Sequence, residues 1–217
     1  MEKTALIVAG GSGERLGGKT PKQFLSIKSK PILMHTIEKF SYLDKIIVVI
    51  SKNYTNQWID LCKLHNFEIN HELVEGGVNR YESVQNGLRH INDTDVVLIH
   101  DGVRPLISRK TINDLIKNVA KNKGVLPVLP LSESIRKINQ NTSTSLNRKE
   151  YFIVQTPQCF IFKEILEAYD QKYQDEFTDD ASVFESIGGK IITINGEQEN
   201  IKITYPIDLN LAEKLVN

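Results

Sequence analysis

The sequence predicts an α/β protein built on a doubly wound, mainly parallel sheet. Two observations carry that expectation: short apolar runs of the buried-strand type recur along the chain, and amphipathic helical patterns separate them. Ligands on such sheets bind outside the carboxyl ends of the strands, so those ends are where functional side chains are sought.

Taken in order, TALIVA (4–9) reads as a buried strand that runs into a glycine-rich loop. Pro31 opens ILMHTIEKF, whose apolar positions 32, 33, 37 and 40 recur at helical spacing. KIIVVIS (45–51) is a second buried-type strand and WIDLCKLH a helix; HELVEGG then leads into the amphipathic YESVQNGLRHI. VVLIHD (96–101) is the next strand, TINDLIKNVAKN the next helix, and GVLPVLP (124–130) a further strand. The strand ends fall at Ala9, at Val74 before EGG, at Ile99 before HDGVRP and at Leu129 before PLSES.

From about residue 131 to 149 the rhythm breaks: SIRKI alternates, NQNTSTS is turn-rich and LNRK comes after. This predicts a polar hairpin or arm leaving the main body. Such an arm cannot bury a face alone and is expected to pack on a partner subunit. YFIVQTP, the helical FKEILEAYDQ and TDDASVFES come next, with Thr178 expected to cap a helix. KIITI and NIKIT look strand-like, and PIDLNLAEKLV is a last helix with Pro206 in its first turn. Without repeats or an inter-domain linker, residues 1–217 are expected to form one domain carrying the arm.

Composition narrows the function classes. Lys plus Arg balances Asp plus Glu at 27 each, so no overall field favours nucleic acid or an anionic membrane. No apolar stretch approaches the roughly 20 residues of a membrane span. The apolar run of MEKTALIVAGG is too short for a signal peptide, and Cys62 and Cys159 form no metal-like pair and are expected to be reduced. A soluble, cytoplasmic protein is expected.

GERLGGKT (13–20) fits the phosphate-loop pattern G-x-x-x-x-G-K-[ST], and VVLIHD resembles the acidic strand that holds magnesium in nucleotide hydrolases. A working phosphate loop opens a helix near its Lys and Ser/Thr. Here Pro21 comes directly after Thr20, disfavours a helical Thr20 and has no N–H to donate. The dinucleotide pattern G-x-G-x-x-G fails at Leu16. What remains is a loop in which Gly10, Gly11 and Gly13 let backbone N–H groups approach an anion, with Arg15 and Lys22 as cations beside them.

AGGSGERLG and then PKQF resemble the signature of the sugar nucleotidyltransferase fold, and within it the cytidylyltransferases that act on 2-C-methyl-D-erythritol 4-phosphate in isoprenoid synthesis. EGGVNRYESVQNGL, VLIHDGVRP, VQTPQCF, TDDASVFES and ENIKITYPIDLNLAE are similar to further blocks of that family, in order, over nearly the whole chain. The resemblance implies a Rossmann-like domain with a projecting β-arm that makes a homodimer. It implies attack by the acceptor phosphate on the α-phosphorus of CTP, with pyrophosphate leaving and no covalent nucleophile required.

By the same resemblance, Arg15 and Lys22 stabilise the transition state, while Lys202 and Arg148 position the acceptor phosphate, Arg148 from the neighbouring subunit's arm. Asp101, Arg104, Thr156 and Ser134 are expected around the acceptor; Ser134 stands where the family usually carries a threonine. Ala9, Gly10, Gly11 and Gly13 are expected along the nucleotide, and Gly76, Gly77 and Ser83 around the cytosine. Val78 replaces an acidic residue common in the family, which leaves backbone recognition of the base. Magnesium is implied, held mainly by CTP phosphates rather than by a protein cage. Asp179 and Asp180 are read as serving a helix first turn, and His100 as having no acid–base role. The rivals are a ribitol 5-phosphate cytidylyltransferase, a non-catalytic nucleotide-binding module and the phosphate-loop hydrolase.

Overall fold

The computed structural model describes residues 1–11 and 20–216. Twelve strands and seven α-helices are placed among them. In chain order they are β1 (Lys3–Val8), β2 (Ser26–Ile27), β3 (Lys30–Pro31), α1 (Ile32–Glu38), β4 (Lys45–Ile50), α2 (Thr55–Leu64) and β5 (Glu72–Glu75). Then come α3 (Arg80–His90), β6 (Val96–Asp101), α4 (Arg109–Asn118), β7 (Lys123–Pro130), β8 (Arg136–Asn139) and β9 (Thr142–Ser145). The chain ends with β10 (Phe152–Val154), β11 (Gln158–Ile161), α5 (Phe162–Ala168), α6 (Asp180–Ser186), β12 (Lys190–Asn195) and α7 (Pro206–Leu215).

β5, β4, β1 and β6 lie side by side and parallel, the arrangement that strand–helix alternation predicts. β7 is not the direct neighbour of β6. Antiparallel β11 is inserted between them, and β7 takes β12 in parallel and β10 antiparallel at its far end. Residues of β1 alternate between two cores: Ala5 and Ile7 face one with α1, α2 and α4, and Leu6 faces the other with α3, α5 and α6. Burial on both faces is why these strands read as continuous apolar runs.

Two expectations need correction, and one strand went unassigned. Asp179, not Thr178, is the N-cap of α6: its carboxylate accepts from the Ser182 N–H at 2.9 Å, and Ser182 Oγ accepts in return from the Asp179 N–H at 3.2 Å. NIKIT is not a strand. Its alternation is real, with Ile203 buried and Lys202 exposed, but the strand-like contact there is the bond from the Ile203 N–H to the Val103 carbonyl. QCFI, unassigned in the sequence, is the central strand β11.

Residues 136–145 form the expected hairpin: β8 and β9 pair antiparallel in a sheet of their own, and all eight of their residues are exposed. The hairpin β2–β3, which the sequence reading missed, turns through Lys28 and Ser29 with φ of 47° and 64°. Positive φ at both central residues marks a turn that matches strand twist.

Candidate active site

Three strand ends come together. The Ala9 N–H donates to the Val49 carbonyl, the Gly102 N–H to the Val8 carbonyl and the Gly76 N–H to the Ile50 carbonyl, which stitches the segments after β1, β6 and β5 to neighbouring strands. Ser83, on α3, sits where two of them meet. Its hydroxyl accepts from the Gly77 N–H at 3.1 Å and donates to the Asn79 carbonyl at 2.8 Å. A methyl group on Gly76 would lie 3.1 Å from that oxygen and one on Gly10 would lie 3.4 Å from it. One on Gly77 would lie 2.2 Å from the Glu82 Cβ, so the turn tolerates no side chain there.

Ala9, Gly10, Gly76, Gly77 and Ser83 are thus brought together, and Gly11 comes next on the exposed side. Val78 points outward at 90 % exposure while its N–H donates to the Glu82 carboxylate at 3.0 Å. Gly13 and Arg15 lie outside the described residues, as does most of the phosphate-loop match. The chain just after that match does not suit a phosphate loop. Pro21 is extended, with φ −55° and ψ 136°, and leads into a single 3₁₀ turn, Lys22–Phe24, instead of an α-helix. That turn presents Lys22, half-buried, and is anchored on both sides. The buried Gln23 amide donates to the Ala9 carbonyl at 2.8 Å, and Phe24 stacks on Trp58 at 6.0 Å.

Asp101 ends β6 and is the electrostatic centre of the site. Its Oδ2 receives Arg104 Nε and Lys202 Nζ, each at 3.1 Å, and Oδ1 faces Arg80 Nε at 3.8 Å. Burial by itself would raise this carboxyl. Lys202, Arg80 and Arg104 outweigh burial and hold it well below the usual carboxylate range. Lys202 keeps 41 % of its side chain exposed, so its charge is fixed in place and still reaches solvent. Arg104 also donates to the Asn200 carbonyl at 2.9 Å, tying β6 to the segment that carries Lys202.

Thr156 lies beneath Asp101. Its hydroxyl accepts from the Asp101 N–H at 3.1 Å and stands 3.0 Å from His100 Nδ1. His100 Nε2 is 3.0 Å from the Arg104 carbonyl, which can only accept, so Nε2 carries the proton and Nδ1 accepts from Thr156. His100 is therefore neutral and structural, and burial lowers its pKa to about 4.

Because the folded pKa lies below the ordinary value of 6.5, this histidine stabilises the fold fully above pH 6.5 and loses that contribution as pH falls toward 4. Its share of the unfolding free energy in urea titrations is expected to fall by about 3 kcal/mol over that window. His100→Asn is expected to flatten the profile. Equal slopes in both proteins would contradict the assignment.

The two remaining predicted residues stand apart on the arm. Ser134 and Arg148 are exposed, and Arg148 donates to the Ser132 carbonyl at the hairpin's base. Sequence reading missed Arg80, Gln23 and Asn200. Gln23 and Asn200 sit beside flagged residues but give no chemical signal of their own. Asp180, read only as a helix-start residue, is fully buried in a bidentate pair with Arg80.

No group of three or more His, Cys, Asp or Glu side chains that could hold a metal ion is present among the described residues. Asp101, the carboxylate at the strand ends, is already neutralised by cations on both oxygens, so a protein-caged metal does not fit it. Among the described residues no helix is long and apolar enough to cross a membrane.

The family model described as "IspD: 2-C-methyl-D-erythritol 4-phosphate cytidylyltransferase" matches residues 4–217. The chain belongs to that family. It is accordingly a nucleotidyltransferase. Curated relatives named 2-C-methyl-D-erythritol 4-phosphate cytidylyltransferase include those of Azobacteroides pseudotrichonymphae, 46% identical over all of this chain and 99% of the relative, and Phocaeicola vulgatus, 42% identical over the full length of both. Among solved structures, the 4-diphosphocytidyl-2C-methyl-D-erythritol synthase of Anaerococcus prevotii superposes with a TM-score of 0.83 at 27% identity, covering 98% of this chain and 95% of that one. The bifunctional IspDF of Campylobacter jejuni matches with a TM-score of 0.81 at 30% identity, over 97% of this chain but 54% of that one. The fold is the mainly parallel α/β architecture of this IspD family.

Proposed function

We propose that this chain transfers CMP from CTP to 2-C-methyl-D-erythritol 4-phosphate, a step of isoprenoid synthesis. An oxygen of the acceptor phosphate forms a bond to the α-phosphorus of CTP. The bond from that phosphorus to the bridging oxygen of the β-phosphate breaks, and pyrophosphate leaves with the electron pair. The observation that carries this reading is the convergence of Lys202, Arg104 and Arg80 on Asp101, beside the Gly10–Gly76–Ser83 turn, in a chain of this family.

The family resemblance assigns the individual roles, and the chemistry is consistent with them. Two polyanions must meet, so cations placed in advance supply most of the stabilisation. Lys22 serves the α-phosphate, and Arg15 serves the rest of the triphosphate with the backbone of Gly10, Gly11 and Gly13. Gly76, Gly77 and Ser83 line the base; a backbone carbonyl there accepts from the cytosine amino group and rejects uracil, whose matching atom is itself an acceptor. Asp101 holds Lys202 in place and accepts from acceptor hydroxyls, with Arg104 and Thr156 fixing Asp101 from the side and below. Lys202 holds the acceptor phosphate. Magnesium enters on the CTP phosphates as part of the substrate, in keeping with the crowded surroundings of Asp101.

The arm is read as the contact of a cytoplasmic homodimer that brings Ser134 and Arg148 to the neighbouring site. The apolar surface at its base supports this: Tyr151, Phe152, Ile153 and Val154 are 42, 51, 49 and 41 % exposed, and Ile138 on the hairpin is 69 % exposed.

Pyrophosphate release tests the reading. CTP with 2-C-methyl-D-erythritol 4-phosphate is expected to release it, and CTP alone is not. Faster release with ribitol 5-phosphate would overturn the choice of acceptor, and orthophosphate released from ATP or GTP without an acceptor would overturn the reaction.

A further inference from the structure

Arg80 opens α3 directly after the Asn79 cap, three residues before Ser83. Every arm of its guanidinium is directed. Nη1 and Nη2 donate to the two oxygens of Asp180 at 2.8 and 2.7 Å, and Nε faces Asp101 Oδ1 at 3.8 Å. Asp180 is fully buried at the start of α6 and also accepts from the Tyr169 hydroxyl at 2.6 Å. Tyr169 in turn stacks on Tyr81, Arg80's neighbour in sequence, at 4.7 Å.

One planar cation thus joins three bodies: the base-side turn through the start of α3, the acceptor-side Asp101 on β6, and α6 beneath both. Burial works against the Arg80 charge, but Asp180 and then Asp101 more than compensate and raise its pKa further above the ordinary value. An ammonium carries the same charge but has no rigid fork with which to face two carboxylates in fixed directions.

We propose that Arg80 is a positioning residue: through Asp101 it sets the acceptor half of the site against the nucleotide half. The assignment rests on the transfer reaction proposed above. Misplacement on the order of 1 Å is enough to lower a transfer rate about 100-fold, so the effect belongs in kcat and in the KM for the acceptor.

The test starts from wild-type enzyme with CTP and 2-C-methyl-D-erythritol 4-phosphate; absence of turnover there defeats the reaction and not the role of Arg80. Given turnover, Arg80→Lys is expected to lower kcat at least tenfold and to raise the acceptor KM, with CTP affinity within about threefold of wild type by calorimetry. Millimolar guanidinium is expected to restore part of the activity of Arg80→Ala. The double variant Arg80→Met with Asp180→Leu removes both charges of the pair, whose Asp180 is fully buried and whose Arg80 is 31% exposed, and paired charges of this kind are often replaceable by apolar groups of similar volume. It is expected to melt as one cooperative unit and still to be slow. Wild-type kcat in Arg80→Lys or in the folded double variant, or a loss that tracks CTP affinity alone, would overturn the proposal.

Discussion

Replacing Lys22 by alanine is expected to slow pyrophosphate release roughly 100- to 1000-fold while CTP still binds, because a cation aimed at charge that builds in the transition state contributes on the order of 3–4 kcal/mol to lowering the barrier. The backbone that carries this side chain is anchored by its neighbours. Lys22 opens a 3₁₀ turn whose next two residues are fixed independently, Gln23 by its bond to the Ala9 carbonyl and Phe24 by its stack on Trp58. The variant should still melt as one cooperative unit and keep a measurable CTP dissociation constant. Calorimetry for binding and a coupled pyrophosphate assay for rate separate the two effects. A rate unchanged from wild type would take Lys22 out of the site, and loss of CTP binding in step with the rate would make it a ground-state contact.

Mixing subunits should produce the other large change. Arg148→Ala and Lys22→Ala enzymes are each expected to be nearly inactive alone. In a heterodimer of the two, the arm exchange proposed above would bring the arm that keeps Arg148 to the site with the intact Lys22. About half of the wild-type rate per heterodimer should therefore return, since one of two symmetric sites is whole. Confirmed heterodimers that stay inactive would place Arg148 in its own subunit's site or in none. The position of Arg148 favours complementation. It lies at the foot of a hairpin whose strand residues are all exposed, next to the half-exposed apolar surface of β10.

Much of this was legible in the residues. Apolar runs buried on both faces revealed β1, β4 and β6 nearly to their ends, and glycine-punctuated strand ends marked where chemistry would gather. Asp101, Arg104 and Lys202 were named from sequence, and they meet within 3.1 Å. β11 escaped because four residues, QCFI, between a proline and a helix carry too little periodicity to separate a strand from a loop. Arg80 escaped for another reason: an arginine after a helix cap looks like an ordinary surface charge. Asp180, a hundred residues away, is its bidentate partner, and separations of that size leave no local pattern. NIKIT showed the reverse failure, since its alternation reflects packing of isoleucines rather than membership of a sheet.

The insertion of β11 between β6 and β7 has a consequence for biogenesis. As the polypeptide leaves the ribosome, β1 and β4 to β6 emerge early and already neighbour one another, but β7 has no partner on that side until residues 158–161 arrive. Until then the nascent chain exposes the open flank of β6, an apolar edge able to pair with the wrong strand. Chains truncated shortly before residue 158 should therefore aggregate, whereas those extended through β11 can close the sheet.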